Sequence, residues 1–421
     1  MKYGLIGEHL THSFSKEIHE KIAGYNYELK ELKKEELESF IKSKSFSAIN
    51  VTIPYKEAVI ELVDSISEKA REIGAVNTIV NKDGKLCGYN TDFYGMRSMI
   101  KKSGIILTGK KVLILGTGGT SKTAFSVAKD LGAKTILKVS RSEKSDSLEV
   151  VSYATAYAEH KDADIIINTT PCGMYPNVYD TPIDINRFKN LSSVVDVIYN
   201  PLSTLLIQNA KEMDIPCVSG LYMLVAQAVY ACELFLDKSF EESLIDDVYR
   251  EILASKKNIV LIGMPSSGKT TIGKLVAEKL SREFIDTDDE ITKKENKEIS
   301  LIFEESGEEY FRNLETEIVK NISTLTGKVI STGGGAVLKS ENLEALRLNS
   351  EIFLLDRDIS FLLPTSDRPL ANSKEKIQAL YSERMPIYKA AADKVIKVKT
   401  DAIKAADEII KVGNYYENKS Y

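Results

Sequence analysis

The chain has 421 residues, of which 43% are hydrophobic and 28% are charged, and its formal net charge is -5. This length exceeds one ordinary hydrophobic core and predicts two or three domains. The negative net charge argues against general nucleic-acid binding. The cysteines Cys87, Cys172, Cys217 and Cys232 lie far apart without a CxxC pair, so neither a zinc site nor a disulfide framework is expected.

Targeting signals are not evident in the sequence. No stretch is apolar for long enough to cross a membrane, and the first residues, MKYGLIGEHLTHSF, show no export signal. We therefore expect a cytoplasmic protein that acts on small molecules, with neither nucleic acid nor a membrane as partner. A homo-oligomer stays open.

The first hundred residues alternate short β-type runs with helical ones. The run KYGLIG precedes a helix from Ser15, the strand YELKEL, a helix over 34–42 and the strand AINVTIP. This alternation is typical of βαβ units. A second unit begins at Gly109 with KKVLILG, a glycine turn, the helical TAFSVAKDLG and KTILKVS, and continues through DIIINTT and SVVDVIY. Such compact apolar runs suit a parallel sheet that is buried on both faces.

The chain becomes helical after Ser219. The run LYMLVAQAVYACELFL places apolar residues on one helix face, and a further helix is predicted over 241–253. The segment ASKKN interrupts this pattern, so residues 254–257 are taken as a linker. Beyond it, predicted helices alternate with the predicted strands NIVLIG, FIDTD, KVISTGGG, EIFLLD and KVIKVK.

A phosphate-binding motif follows the strand NIVLIG. The stretch GMPSSGKTT matches GxxxxGK[ST] between a predicted strand and a predicted helix. In such a loop, backbone N–H groups approach the phosphates, the lysine neutralises the β and γ groups, and the next hydroxyl ligates Mg²⁺. The motif predicts a nucleoside triphosphate site with contacts from Gly263, Ser266, Ser267, Gly268, Lys269, Thr270 and Thr271.

Charged and glycine-rich motifs follow this loop. FIDTDDEI places Asp286 and Asp288 on one side of an extended segment, so that one could face a metal and the other an acceptor hydroxyl. The remaining motifs are IFEESGEEYFRNLE with Arg312, STGGG, DRPLA with Arg368, and ERMPIY with Arg384. Taken singly, Arg312 could belong to a surface ion pair, the glycines to a tight turn, and Arg384 to the exposed face of a helix.

The order and spacing of these motifs over 258–412 resemble shikimate kinase. The resemblance implies ATP as donor, shikimate as acceptor, and Mg²⁺ near Thr270 and Asp286. It assigns Asp288 to the shikimate hydroxyls and places Arg368 on a lid that reaches the transferring phosphate, in addition to the catalytic Lys269 of the loop. It assigns the carboxylate and ring to Arg312, Arg384, Gly333, Gly334 and Gly335, and planar guanidinium groups suit a carboxylate.

One departure from this family is visible. The stretch LLPTSDRPLAN is short and lacks an arginine that the family often carries before the lid. The alternative is another small-molecule kinase of the same architecture, such as a gluconate-type enzyme.

A second glycine-rich turn, GTGGTS, follows the run KVLIL. It resembles a dinucleotide-binding turn in which Ser121 replaces the third glycine. Arg141 ends the next strand, where NAD-specific folds carry an acidic residue, so it favours the 2′-phosphate of NADP(H). The alternative for Arg141 is an exposed charge at a strand end. The predicted cofactor contacts are Gly116, Gly118, Gly119, Thr120, Ser121, Arg141, Gly220 and Met223.

Four motifs precede this turn: HSFS, NVTIPYK, GAVNT and YNTD. Taken singly, Lys56 could be a solvated lysine after a proline turn, and Asp92 a helix N-cap. In this order, and with INTTPCGM, DVIYNPL and LVAQA further on, they resemble shikimate dehydrogenase over 2–253.

The resemblance implies a catalytic pair of Lys56 and Asp92. Hydride reduction of a ketone leaves charge on oxygen, so a proton donor must lie within hydrogen-bond reach. Lys56 can donate that proton, while Asp92 positions the lysine and a substrate hydroxyl. By the same resemblance the carboxylate is bound by Ser13, Ser15 and Tyr199, and the ring hydroxyls by Thr52, Asn77 and Gln227.

Several positions depart from the dehydrogenase pattern. Phe93 and Tyr222 stand where glycine is common and could narrow the nicotinamide pocket. Glu8, His9 and Lys16 replace the usual proline-containing segments, and no catalytic group is lost.

The sequence is thus interpreted as a bifunctional α/β enzyme of the shikimate pathway. Residues 1–253 would reduce 3-dehydroshikimate with NADPH, with 1–100 and 220–253 as the substrate-binding part and 101–219 as a Rossmann-type NADP part. Residues 258–421 would form a P-loop domain, related in fold to nucleoside monophosphate kinases, that phosphorylates shikimate with ATP and Mg²⁺. Two alternatives stay open: an NAD-preferring quinate or shikimate dehydrogenase fused to another kinase, or one non-catalytic regulatory half.

Overall fold

The computed structural model describes residues 1–10, 13–141, 149–363 and 373–415. The chain divides into two compact units, unit 1 (Met1–Ile252) and unit 2 (Leu253–Tyr421). Among the described residues, no helix has both the length and the apolar character needed to span a membrane.

Unit 1 begins with a six-stranded mixed sheet in the order β2-β1-β3-β5-β6-β4. Its strands are β1 (Tyr3–Gly7), β2 (Tyr27–Glu31), β3 (Ala48–Val51), β4 (Ser65–Ile66), β5 (Thr78–Lys82) and β6 (Lys85–Tyr89). The helices of this part are α1 (Ser15–Ala23), α2 (Lys34–Ser43), α3 (Glu68–Ile73) and α4 (Thr91–Lys102). β1 pairs in parallel with β2 and β3, as βαβ units require, whereas β5 is antiparallel to both β3 and β6.

The second sheet of unit 1 is entirely parallel, in the order β12-β11-β10-β7-β8-β9. Its strands are β7 (Lys111–Leu115), β8 (Thr135–Ser140), β9 (Val150–Ser152), β10 (Ile165–Asn168), β11 (Ser193–Asp196) and β12 (Cys217–Val218). The helices α5 (Gly119–Asp130), α6 (Tyr153–Glu159) and α7 (Leu205–Glu212) connect them. The central runs are buried along their whole length, which agrees with the Rossmann-type arrangement that the sequence predicts.

Two long helices follow, α8 (Leu221–Leu236) and α9 (Ser243–Lys256). α8 packs against α4 so closely that a Cβ on Gly95 would lie 2.7 Å from the carbonyl oxygen of Met223. α9 continues to Lys256, so residues 254–256 are helical where the sequence predicts a linker. Only Lys257 lies between α9 and β13, so the interruption expected from ASKKN is one residue long, and the segment holds no glycine or proline that would end the helix earlier.

Unit 2 contains a parallel five-stranded sheet in the order β14-β15-β13-β16-β17. The strands are β13 (Asn258–Ile262), β14 (Phe284–Asp286), β15 (Val329–Ser331), β16 (Ser350–Arg357) and β17 (Lys394–Val398). The helices are α10 (Lys269–Leu280), α11 (Thr287–Glu295), α12 (Ile299–Ser323), α13 (Ser340–Leu346), α14 (Lys374–Ala391) and α15 (Ala402–Val412).

The core of unit 2 lies on both faces of this sheet. Val260 and Ile262 of β13 belong to one apolar cluster, whereas Ile259 and Leu261 belong to another. Alternate residues of a strand point to opposite faces, so the continuous apolar run NIVLI fills both layers. Because the strands are parallel, their carboxyl ends meet at one edge of the sheet, where ligands bind in open α/β folds.

Candidate active sites

The two predicted catalytic residues of unit 1 are in contact. Lys56 Nζ donates a hydrogen bond to Asp92 Oδ2 over 2.6 Å. Their side chains are 15% and 9% exposed, so the pair is shielded without being closed to a ligand. Asn90, not Asp92, caps α4, because its side chain accepts the N–H of Phe93. The carboxylate of Asp92 is therefore not used as a helix cap, and the alternative that the sequence left open is wrong.

A network of hydroxyl and amide groups adjoins this pair. Asn77 Oδ1 accepts the N–H of Thr91 over 2.7 Å, and Asn77 Nδ2 donates to Thr91 Oγ1 over 3.0 Å. Thr91 Oγ1 also donates to Gln227 Oε1 over 3.4 Å, which joins α4 to α8. Asn50 Nδ2 donates to Thr78 Oγ1 over 3.0 Å. The structure thus brings together the predicted Asn77 and Gln227 through residues that sequence reasoning passed over, although Asn50 and Thr91 lie within the motifs NVTIPYK and YNTD.

The predicted carboxylate-binding hydroxyls belong to Ser13 and Ser15, at the start of α1, and to Tyr199, which follows β11. Ser13 Oγ accepts the N–H of Ser15 over 3.2 Å at the start of α1. Burial raises the pKa of Tyr199, and a hydrogen bond with Ser13 acts in the opposite direction. These contacts place Ser13 and Tyr199 together, while Thr52 approaches β1 at Gly7, where a Cβ would lie 2.5 Å from its methyl group.

The glycine turn after β7 fits the phosphates of a dinucleotide. Gly116 has a φ of 107°, a left-handed value that favours glycine. α5 begins at Gly119, so its N-terminal N–H groups lie at the turn, as at other phosphate sites. Ser121 Oγ is buried and has no hydrogen-bond partner within the described part of the chain. A Cβ on Gly119 would lie 3.8 Å from the Cβ of Lys56, so turn and catalytic pair adjoin.

The other predicted NADP contacts have separate positions. Thr120 lies in the first turn of α5, and Arg141 is exposed directly after β8. Gly220 precedes α8, and a Cβ there would lie 2.0 Å from the carbonyl oxygen of Val197, so no side chain fits. Met223 is buried in the first turn of α8.

Tyr222 does not stand free in this region. Its hydroxyl donates to Asp246 Oδ1 over 2.9 Å, and its ring packs edge-on against Tyr249, with centroids 5.1 Å apart. Burial raises the pKa of Tyr222 well above its usual range. The side chain is therefore engaged by α9, and a narrowing of the nicotinamide pocket stays a prediction.

Unit 2 holds a cavity of about 630 Å³ at the carboxyl edge of its sheet. It brings together residues that lie far apart in the sequence, since both Pro265 and Arg384 line it. The predicted residues that line it are Ser266, Gly268, Lys269, Thr270, Thr271, Asp286, Asp288, Arg312, Gly333, Gly334, Gly335 and Arg384. Arg368 lies outside the described residues.

The phosphate-binding loop connects β13 to α10. Gly263 and Gly268 have φ values of 145° and 98°, which side chains rarely adopt. Lys269 Nζ donates to the carbonyl oxygens of Gly263 and Met264 over 3.0 and 3.1 Å, so its charge lies over the loop. Ser267 Oγ is buried and has no hydrogen-bond partner among the described residues. This arrangement suits an anion at the N-terminus of α10.

Two oxygen atoms beside the loop fit Mg²⁺. Thr270 Oγ1 donates to Asp286 Oδ2 over 2.8 Å. The described residues contain no group of three or more His, Cys, Asp or Glu side chains that could hold a metal alone. Mg²⁺ bound with a nucleotide needs only one or two protein oxygens in addition to phosphate and water, so Thr270 and Asp286 are sufficient.

Asp288 differs from its predicted setting. It lies in the first turn of α11, not in an extended segment, because Asp286 caps this helix by accepting the N–H of Asp288 over 3.1 Å. Its carboxylate still reaches the cavity, since a Cβ on Gly333 would lie 2.7 Å from Asp288 Oδ1.

Arg312 is held against the glycine loop by two carboxylates. Its Nη1 donates to Glu315 Oε2 over 2.8 Å, and its Nη2 donates to Glu308 Oε1 over 3.1 Å. The side chain of Glu315 is only 1% exposed, and burial raises the pKa of this carboxyl. Sequence reasoning missed Glu315, although its spacing of three residues from Arg312 on a predicted helix was a usable signal.

Arg384 lies on α14 and reaches the same glycine loop. Arg384 Nη1 donates to the carbonyl oxygen of Gly334 over 3.2 Å, and the hydroxyl of Tyr388 donates to the same oxygen. Arg384 is 6% exposed, and its Nε has no hydrogen-bond partner in the part of the chain that the structure describes. Two guanidinium groups with donors facing one cavity are suited to a carboxylate.

Two different protein-family models match the two units. The model of the shikimate dehydrogenase substrate binding domain matches residues 5–79, and the shikimate kinase model matches residues 265–413. The shikimate dehydrogenase (NADP(+)) of Clostridium beijerinckii is 41% identical over 261 residues, which cover 59% of this chain and 96% of that protein.

Solved structures agree with this match. Shikimate dehydrogenase 1 from Peptoclostridium difficile has 36% identity and a TM-score of 0.56, over 60% of this chain and 98% of its own. Shikimate 5-dehydrogenase from Thermus thermophilus, solved with NADP(H) and shikimate, has 27% identity and a TM-score of 0.53, over 59% and 98%. The chain therefore belongs to the shikimate dehydrogenase family, and its residues 265–413 are a shikimate kinase domain.

Proposed function

We propose that the chain catalyses two consecutive reactions. Unit 1 reduces 3-dehydroshikimate to shikimate with NADPH, and unit 2 transfers the γ-phosphoryl group of ATP to shikimate. The observation that carries the proposal is that each unit holds its own catalytic set. The Lys56–Asp92 pair adjoins the dinucleotide turn, and the phosphate-binding loop shares a cavity with Asp288, Arg312 and Arg384.

In unit 1 the lysine is the proton donor. Bound NADPH supplies the hydride. The ammonium of Lys56 gives a proton from Nζ to the oxygen on which negative charge develops. Asp92 holds that ammonium in place through its 2.6 Å hydrogen bond and can also accept a hydrogen bond from a substrate hydroxyl. Since both side chains are largely shielded, the attraction between them is stronger than at the surface.

The surrounding polar groups fix the substrate. Ser13, Ser15 and Tyr199 offer hydroxyl groups to the carboxylate, while Asn77 and Gln227 offer amide groups to the ring hydroxyls. The bonds of Thr91 to both amides support this role, because they lock two side chains from distant parts of the sequence in one orientation.

In unit 2 the phosphate-binding loop positions ATP, and residues elsewhere in the cavity position shikimate. Lys269 turns from the carbonyls of its own loop towards the β and γ phosphates. Thr270 and Asp286 would hold Mg²⁺, which would neutralise phosphate charge when bound. Asp288 accepts a hydrogen bond, and then the proton, from the attacking hydroxyl. Arg312 and Arg384 hold the shikimate carboxylate.

The setting of these reactions is part of the proposal. Both substrates are small molecules, so neither nucleic acid nor a membrane is required as partner. Four free cysteines among the described residues are compatible with a reducing cytoplasm.

The experiment that tests the proposal compares two single variants of the full chain. Lys56→Met should lower ketone reduction by about 10²- to 10⁴-fold, the usual contribution of a positioned proton donor, and leave the kinase rate unchanged. Lys269→Met should abolish phosphoryl transfer and spare the reductase. Each activity is measured on the same preparation, so each serves as the folding control of the other. Loss of both activities in either variant would contradict two independent sites.

A further inference from the structure

Arg357 lines the kinase cavity but was not among the predicted site residues. It is the last residue of β16, directly before the segment 358–363. β16 pairs with β13, whose carboxyl end continues into the phosphate-binding loop. The side chain therefore starts from the strand next to the loop, at the edge of the sheet where the ligands lie.

The guanidinium of Arg357 is fastened to the loop itself. Its Nη1 donates to the carbonyl oxygen of Ser266 over 3.3 Å. Ser266 has a φ of 63°, and its Oγ donates to the carbonyl oxygen of Leu363 over 2.9 Å. The loop residue Ser266 is thus bonded both to Arg357 and to the end of the segment that follows it, which fixes the guanidinium beside the loop.

The charge of Arg357 is not balanced by a carboxylate in the described part of the chain. Its sequence neighbours are engaged elsewhere, since Asp356 pairs with Lys397 and Asp358 accepts the hydroxyl of Ser360. Arg357 Nε is buried, and no described residue accepts a hydrogen bond from it. A shielded cation with an unused donor is costly unless an anion completes it.

The position of Arg357 separates it from the acceptor residues. Arg312 is paired with Glu308 and Glu315, and Arg384 contacts the loop that follows β15. In the sheet, β15 and β16 lie on opposite sides of β13. The glycine loop after β15 and Arg357 after β16 therefore lie on opposite sides of the phosphate-binding loop, and Arg357 is bonded to that loop.

We propose that Arg357 is a nucleotide-binding residue whose guanidinium contacts the phosphate chain of ATP. The inference rests on the proposed kinase function and adds a second cation to Lys269 on the donor side. Phe361, whose ring centroid lies 6.0 Å from the Arg357 Cζ, is 47% exposed and supports the guanidinium plane. The planar guanidinium group of Arg357, beside the loop, can donate hydrogen bonds to two phosphate oxygens at once.

The test uses the full chain with Arg357→Met and Arg357→Lys. Binding of MgADP is measured by competition with a fluorescent ADP analogue, and KM is measured separately for ATP and for shikimate. Arg357→Met should weaken MgADP binding and raise the KM for ATP by about tenfold or more, since tenfold is the lower end of the effect of a hydrogen bond to a charged group. Arg357→Lys, which keeps the charge without the fork, should lose less. The KM for shikimate at saturating ATP should not change.

Controls separate this role from a structural one. Arg347→Met is the matched variant, because Arg347 lies at the end of α13 and does not line the cavity. It should bind MgADP as the unmodified chain does, and the reductase rate of every variant should be unchanged. If Arg357→Met binds MgADP normally, the inference is wrong. An equal loss of adenosine binding would also overturn the phosphate contact, in favour of a contact with the base. Failure of the unmodified chain to bind MgADP would instead contradict the proposed function.

Discussion

Replacing Gly335 by alanine tests the geometry of the acceptor site. A Cβ at this position would lie 2.1 Å from Arg312 Nη1 and 2.5 Å from Arg312 Cζ. The φ and ψ of Gly335, -103° and -8°, are accessible to alanine, so the backbone is not strained. The conflict is with the end of a flexible side chain, and we therefore expect the domain to fold normally.

The displacement can be estimated from the same contact. An ordinary contact begins at 3.4 Å, so the guanidinium must move by about 1.3 Å from its 2.1 Å position, against its bonds to Glu308 and Glu315. A misplacement of about 1 Å in a positioning group can reduce the rate by about 10²-fold. We expect kcat/KM for shikimate to fall by about that factor in Gly335→Ala, with KM for ATP almost unchanged.

The assay follows ADP formation at varied shikimate, and reductase activity of the same preparation reports on folding. Gly334→Ala is the matched control on the same loop, because a Cβ there would meet Pro265 at 3.4 Å and Tyr388 at 3.6 Å, which are ordinary contacts. Equal losses in the two variants, or an unchanged kcat/KM for shikimate in Gly335→Ala, would refute the reasoning.

Glu315→Gln should raise the shikimate KM by about tenfold, because it removes the buried negative charge that holds Arg312. Glu308→Gln should have little effect, because Glu308 is exposed. Equal effects of the two variants would contradict the role of burial. Arg141→Ala should raise the KM for NADPH and leave that for NADH unchanged, and a parallel change would exclude a 2′-phosphate contact. Burial raises the pKa of Asp196 from 3.8 to about 6, against hydrogen bonds from Thr204, Ile198 and Asn168. The folded state thus binds this proton more tightly than the unfolded state, so unit 1 should lose about 3 kcal/mol of stability as the pH rises from about 4 to about 6. Urea unfolding should show that Asp196→Asn flattens this dependence, and an unchanged slope would show that another group is responsible.

The sequence predicted those strands that are clearly marked by alternating apolar residues or by a continuous apolar run. β7, β10, β11 and β13 are such runs, and each ends in a turn or a polar motif, so their positions and the two glycine turns were confirmed. The hairpin of β5 and β6 was not predicted. Its turn is Asp83-Gly84, which is a common hairpin signal. The neighbouring residues Asn81, Lys82 and Lys85 are polar, so the two strands were not recognised in the sequence.

The settings of three site residues could not be predicted from local sequence patterns. Asp288 was predicted in an extended segment because alternation alone cannot reveal that Asp286 caps a helix. Glu315 was passed over because a glutamate three residues after an arginine is usually an exposed pair, and only the packing of α12 shows that it is buried. Arg357 gave no motif at all, since its role depends on which strand lies beside the phosphate-binding loop.

By the proposed function, one chain carries two active sites that act in sequence. The most direct measurement incubates the purified full chain with 3-dehydroshikimate, NADPH, ATP and Mg²⁺ and follows the products by mass spectrometry. We expect shikimate 3-phosphate, with shikimate accumulating when ATP is omitted and no product when NADPH is omitted. Formation of shikimate without its phosphate in the complete mixture, or no conversion of 3-dehydroshikimate, would contradict it.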